Sequence, residues 1–108
     1  MLQLVVAEVP RNRDEIEHEM LRVRGEIDIR ELYFSRLAAA LQVIDSTEEF
    51  EPEQTTIDWI RHNCRLTQHA AADCVRIGEK LPEMPLSEDA LYNGEVGIQH
   101  FAVIPFRE

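Results

Sequence analysis

The sequence has little positive charge, no long apolar run and little cysteine. Its 108 residues contain 11 Lys and Arg against 21 Asp and Glu, a net charge of −10. A field of that sign repels phosphate groups and argues against a nucleic-acid-binding protein that acts alone. The lack of an eighteen-residue apolar run argues against a membrane span, and MLQLVV lacks the cationic start of a secretory leader. We therefore expect a cytoplasmic protein with no membrane partner.

The two cysteines, Cys64 and Cys74, lie in the stretch WIRHNCRLTQHAAADC, together with His62 and His69. Structural zinc sites need four converging ligands, and the spacings here match none of the usual patterns. A nucleophilic cysteine would need a neighbouring His in an exposed, electropositive setting, and no oxyanion donor or third group is recognisable. Because both cysteines fall on apolar helix faces, we predict free thiols in the core. We predict no metal, no cofactor and no catalytic residue.

Proline is absent from residues 12–45, and apolar residues recur there at alternating steps of four and three. This is a heptad repeat, typical of a helix that packs along another helix. Asn12 followed by Glu15 predicts an N-cap. We expect a helix of about residues 12–45, a rod of roughly 50 Å at 1.5 Å per residue. The nine repeat positions, called the seam below, are Ile16, Met20, Val23, Ile27, Arg30, Phe34, Leu37, Leu41 and Ile44.

The two halves of this helix differ in polarity. From Ile29 onward apolar residues occupy nearly every face, whereas residues 11–28 show one narrow apolar stripe. We therefore expect the second half to lie in the core and the first half to meet another chain, although a long helix within a monomeric bundle is the alternative. In a parallel dimer Arg30 would meet its own mate, so an antiparallel or crossed homodimer is favoured. The predicted dimer contacts are Ile16, Met20, Val23 and Ile27.

The rest of the chain predicts a loop and shorter helices. The acidic segment 46–54 has a proline and no periodicity, and it is typical of a surface loop. A bundle should follow over residues 55–104. Its first helix would be capped by Thr55 or Thr56 and its second by Thr67. A short helix from Ser87 and a last helix IQHFAVI complete it, and no segment favours a strand. The fold class is thus all-α, in a single domain of residues 1–108.

The first two short helices form a hairpin of the size of a helix-turn-helix. Residues 55–81 carry 4 basic and 3 acidic residues and form the one segment without an acidic excess. The second helix, however, begins QHAAAD, which offers a DNA base few polar contacts. A DNA-contacting module is therefore an alternative function, and nucleic-acid binding by this chain alone should be weak. Its candidate contacts are Arg61, Arg65, Arg76 and Lys80.

Residues 55–104 resemble a bacterial family called domain of unknown function 222, or the thirteen-E-twelve repeat family. The family pattern has Ser or Thr before Trp and an aliphatic residue, then Thr, a pair of alanines, Gly or Ala, L-x-x-L/M-P, A-L, G-x-I/V-G/S and His. The matching positions here are Thr56, Trp59, Ile60, Thr67, Ala71, Ala72, Gly78, Leu81, Pro82, Met84, Pro85, Ala90, Leu91, Gly94, Val96, Gly97 and His100.

The resemblance implies a helical region that precedes an HNH-type nuclease domain and has no established activity of its own. The two His and the Asn of the nuclease motif have no counterpart in this sequence, and His62-Asn63 lacks the required ββα-metal frame. We therefore expect a non-catalytic accessory or assembly domain that mediates dimerisation. A third possibility is an acidic interaction or inhibitor module acting through EEFEPE, residues 48–53. The expected fold-defining residues are Trp59, Leu81, Pro82, Pro85, Ala90, Leu91 and Gly94.

Overall fold

A computed structural model describes residues 8–47 and 52–103. Its longest element is the helix that the sequence predicts over about residues 12–45. Helix α1 spans Arg13–Asp45, 33 residues. The side-chain oxygen of Asn12 accepts a hydrogen bond from the backbone N–H of Asp14 at 2.8 Å. Asp14 and Glu15 place negative charge in the first turn, where unpaired N–H groups favour it. The cap and the absence of proline thus account for the start and the length of α1.

Four shorter α-helices follow in the part of the chain that the structure describes. Helix α2 is Pro52–Cys64, α3 is Gln68–Lys80, α4 is Pro85–Tyr92 and α5 is His100–Val103. A 3₁₀ turn, Leu81–Glu83, joins α3 to α4. The hydroxyl of Thr67 accepts a hydrogen bond from the N–H of Ala70 at 3.1 Å and caps α3 as expected. No strand occurs among the described residues, and the all-α class is confirmed. None of the described helices combines the length and apolar character that a membrane span requires.

Two predicted boundaries around α2 differ from the structure. Residues 46 and 47 form a turn, but 52–54 already belong to α2, because proline is favoured in the first turn of a helix. Residues 48–51, which carry most of the acidic EEFEPE motif, lie outside the described residues. Thr56 does not cap the helix; it is buried inside α2 and its hydroxyl donates to Asp45 Oδ2 at 2.5 Å. That bond ties α2 to the end of α1.

The core consists of two clusters on one side of α1. One lies where α1, α3 and the C-terminal segments meet and contains Leu32, Ile77, Leu81, Met84, Leu91, Ile98 and Phe101. The other lies between α1, α2 and α3 and contains Ala38, Ile57, Ile60, Ala71 and Val75. Between them α3 approaches α1 so closely that a Cβ built at Gly78 would lie 2.0 Å from the carbonyl oxygen of Ser35. The helix crossing therefore requires glycine at position 78.

Asp28 fixes the C-terminal segment to α1. Its side chain is buried, and Oδ1 accepts a hydrogen bond from the backbone N–H of Ile98 at 3.1 Å. The same oxygen accepts from a guanidinium nitrogen of Arg24 at 2.6 Å. A buried carboxylate is tolerated when it is paired and hydrogen-bonded. Asp28 thus holds Ile98 in the first cluster and satisfies a backbone donor that water cannot reach.

Replacing Asp28 with alanine is expected to destabilise the fold by about 2 kcal/mol, because the buried N–H of Ile98 loses its acceptor. The melting temperature should fall by roughly 8 °C or more. Asp28→Asn is the matched control, since its amide oxygen can still accept from Ile98, and it should lose less than half as much. Thermal unfolding followed by circular dichroism measures both. Equal losses for the two variants would show that the charge, not the acceptor, is what stabilises this contact.

Candidate functional site

The seam of α1 remains largely uncovered within the chain. Met20 is 66% exposed, Val23 37% and Ile27 38%, while Ile16 is half-buried. Among residues 13–27, all of them described, none is buried; this first half of α1 is called the arm below. The exposure continues past the arm, because Leu37 and Ile44 are 49% and 63% exposed. An exposed apolar strip of this length, interrupted only at Arg30, is rare on a monomeric protein and marks an interaction surface.

The contacts of α1 with its own bundle lie on a different face. The buried residues of α1 are Asp28, Leu32, Ser35 and Ala38. At 100° per residue their common face is rotated by about a quarter of a turn or more from the seam. Helix α1 therefore has one packed face, which is partly polar and lies against its own bundle, and one apolar face that is largely exposed to solvent. The N-terminal half of the seam is extra to what the fold of one chain needs, whereas Phe34, in its C-terminal half, packs against the second core cluster.

A groove opens at the C-terminal half of the seam, where α2 packs against α1. It has a volume of about 300 Å³ and is almost entirely apolar. Its most exposed wall is Trp59, whose residue surface is 52% exposed. Large exposed aromatic side chains are enriched at the centres of protein interfaces. The lining of this Trp59 groove is Phe34, Leu37, Ala38, Leu41, Trp59, Ile60 and Cys64.

Both thiols line a second cleft, of about 600 Å³, between α1 and α3. Cys64 and Cys74 are free and half-buried, and they pack against the second core cluster. Burial, followed by the nearby carboxylates of Glu31 and Asp73, raises the pKa of the Cys74 thiol. A raised pKa lowers the fraction of thiolate and hence the nucleophilicity of Cys74. Within the part of the chain that the structure describes, no group of three potential ligands is placed to hold a metal ion.

The four candidate DNA contacts do not form one exposed basic surface. Lys80 is only 6% exposed and its Nζ donates to the carbonyl of Phe101 at 3.4 Å, so a contact between Lys80 and DNA is excluded in this fold. Arg76 pairs with Asp73 at 3.0 Å, and Arg61 lies 3.7 Å from Asp58. The aspartates offset the charge of both guanidinium groups. Arg65 is exposed in the left-handed turn between α2 and α3, with φ of 59°.

Duplex DNA is expected to bind this chain with a dissociation constant above about 10⁻⁵ M at physiological salt, within or weaker than the non-specific range. The reason is the net charge of −10 and the paired state of Arg61 and Arg76. A fluorescence-anisotropy titration with labelled duplex measures this affinity. Tighter binding that is lost when Arg61 and Arg65 are both changed to glutamate would instead favour the DNA-contacting function.

The expected fold-defining residues occupy diverse environments. Leu81 and Leu91 are buried in the first cluster, and Ala90 is half-buried. Pro82 and Pro85 are exposed, but each lies at the start of a helical segment: Pro82 in the 3₁₀ turn and Pro85 in the first turn of α4. Gly94 follows α4 with φ of +78°, a left-handed conformation that favours glycine. Trp59 belongs to neither cluster and is half-exposed.

Sequence reasoning missed the residues with polar or small side chains that build the packed face of α1. Asp28 and Ser35 carry no apolar periodicity, so a search for hydrophobic spacing passes over them, while Gly78 of α3, which packs against this face, enters only through the family resemblance.

No family model matches this chain, and neither curated proteins nor solved structures gave a match.

Proposed function

We propose that this chain is a non-catalytic assembly domain that forms a homodimer through the seam of α1. In keeping with the resemblance of residues 55–104, we place it as the helical accessory region of an HNH-nuclease-type protein in the cytoplasm. The observation that carries the assembly role is the exposure of the seam, with Met20, Val23 and Ile27 open to solvent in a single chain. Burying such side chains stabilises a complex by about 25 cal/mol for each Å² removed from water.

A second copy of the chain is the occupant that best fits the seam. The strip is one helix wide and spaced in heptads, which is the surface that another helix with the same spacing covers in a coiled coil. Among the described elements, α1 alone exceeds 13 residues and carries that spacing. A two-fold symmetric dimer uses the same surface on both subunits, so one seam provides both halves of the interface. The arm, which contributes nothing to the core clusters, gains a packing role in this assembly.

Static light scattering coupled to size-exclusion chromatography tests the proposal directly. A chain of 12.5 kDa should elute with twice that mass at tens of micromolar and shift toward the monomer on dilution. A monomer mass throughout this concentration range would show that the seam does not assemble. The proposed function would then fail, whatever the family of the chain.

A further inference from the structure

The Trp59 groove includes the seam residues Phe34, Leu37 and Leu41 and is open to solvent, which raises the question of what fills it. Its lining is nearly all apolar, and Leu37, one of the lining residues, is 49% exposed. The arm carries exposed apolar side chains at the far end of the same helix, and none of its described residues is buried. One subunit thus has a groove at the C-terminal half of α1 and matching side chains at the N-terminal half. Only an antiparallel pair brings the two together.

We infer that the arm of each subunit lies in the Trp59 groove of the other, in an antiparallel pair of α1 helices. This inference rests on the proposed function and specifies its geometry. Facing positions in an antiparallel pair have residue numbers with a constant sum. One arrangement places Met20 opposite the partner's Ile44, Val23 opposite the partner's Leu41, Ile27 opposite the partner's Leu37, and Arg30 opposite the partner's Phe34.

Exposure selects this register over the two that are shifted by one heptad. A shift in one direction would place Ile27 opposite the partner's Ile44 and leave Met20, 66% exposed, with no seam residue opposite it. The shift in the other direction would place Val23 opposite the partner's Phe34 and Ile27 opposite the partner's Arg30. It would cover Ile16, which is already half-buried, and leave Ile44, 63% exposed, in water. The chosen register covers Ile44 and sets the guanidinium of Arg30 against an aromatic ring, where a cation is attracted to the ring face. A parallel pair would instead bring Arg30 against its own mate.

In this arrangement the side chains of Val23 and Ile27 enter the groove of the partner subunit, where Trp59 forms the outer wall. The indole is then covered on the side that is open in one chain. Trp59→Ala should therefore raise the dissociation constant of the dimer by about ten-fold or more, since buried tryptophans carry a large share of interface energy. Because Trp59 lies outside both core clusters, the variant should keep the fold.

Cysteine cross-linking of the full chain tests direction and register together. The background carries Cys64→Ala and Cys74→Ala, and single cysteines are introduced as Val23→Cys, Leu41→Cys or Phe34→Cys in separate chains. Circular dichroism confirms helicity, and chains are mixed in pairs and oxidised with copper phenanthroline. The mixture of Val23→Cys with Leu41→Cys should form disulfide-linked dimer at least ten times faster than either chain alone.

The other outcomes overturn the inference. Rapid cross-linking of Val23→Cys alone shows a parallel pair, and a preference for Phe34→Cys as partner shows the shifted register. Trp59 is the sole tryptophan, so its emission gives a second measurement on the unmodified chain, with an expected red shift on dilution to monomer. A dimer by light scattering with neither the cross-link nor the shift would leave the proposed function standing and refute the groove as its interface.

Discussion

Replacing Met20 and Val23 together with glutamate is expected to convert the dimer into a monomer while the bundle stays folded. Both side chains are exposed in one chain, so the substitutions cost the monomer little. In the dimer they would place four unpaired carboxylates in an apolar interface, where each buried charge without a partner costs several kcal/mol. The dissociation constant should rise by at least about 100-fold. Light scattering at tens of micromolar should report a mass near 12.5 kDa.

Leu21→Glu is the matched control for this pair. Leu21 is 75% exposed on the same helix, but it lies off the seam, so the dimer should persist. Circular dichroism at low concentration should show the same helical content for both variants once each is monomeric. If the double variant loses the fold, the arm has intrachain partners that its exposure does not show. If it stays dimeric, the subunits meet through another surface.

Replacing Gly78 with alanine is expected to destabilise the chain by about 3 kcal/mol or more, the upper range for overpacking a core. A Cβ at this position would lie 2.0 Å from the Ser35 carbonyl oxygen and 2.8 Å from Cβ of Ala39. Neither atom belongs to a flexible side-chain end, so α1 and α3 would have to separate. The separation would loosen both core clusters. Thermal unfolding should show a melting temperature lower by roughly 12 °C or more.

Gly25→Ala provides a control of opposite sign. Gly25 lies in the same kind of helical backbone, but nothing lies within 4 Å of a Cβ built there. Alanine should therefore stabilise α1 by about 0.5–1 kcal/mol through helix propensity alone. A loss of stability in both variants would point to a general intolerance of substitution. A gain in both would mean that α3 packs on α1 less closely than the structure shows.

The long helix could be predicted closely from the sequence because its determinants are local. An N-cap at Asn12, the absence of proline and the heptad spacing each act within a few residues, and α1 begins and ends where they indicate. The start of α2 differs from the sequence prediction, because a proline after acidic residues is typical of a loop, whereas Pro52 occupies the first turn of the helix. A local signal of this kind fits both a loop and the start of a helix, and contacts with the rest of the chain decide between them.

The candidate site was only partly predictable. Heptad spacing identifies the seam, yet it cannot tell which apolar face a single chain buries. The packed face of α1 is instead determined by contacts between residues that are far apart in the sequence. Gly78 leaves room for the backbone of Ser35, and Asp28 accepts a hydrogen bond from the N–H of Ile98. Such partners are distant in sequence, and their small or polar side chains give no periodic signal. Sequence spacing likewise groups Lys80 with the basic residues of a surface. In the structure its Nζ donates a hydrogen bond to the carbonyl of Phe101, 21 residues away, which no local pattern indicates.

The arm that projects beyond the core has a consequence for how the helix itself forms. Residues 13–27 bury no side chain, and an isolated helix of about 15 residues is marginally stable in water. Ion pairs such as Arg22 with Glu26, at 2.7 Å, add only a few tenths of a kcal/mol each. The arm should therefore fray in the monomer and become fully helical when it meets its partner. Helix formation in the arm and dimerisation would then be one coupled transition. Because dilution releases monomers, the amide hydrogens of residues 13–27 should exchange faster as the protein is diluted.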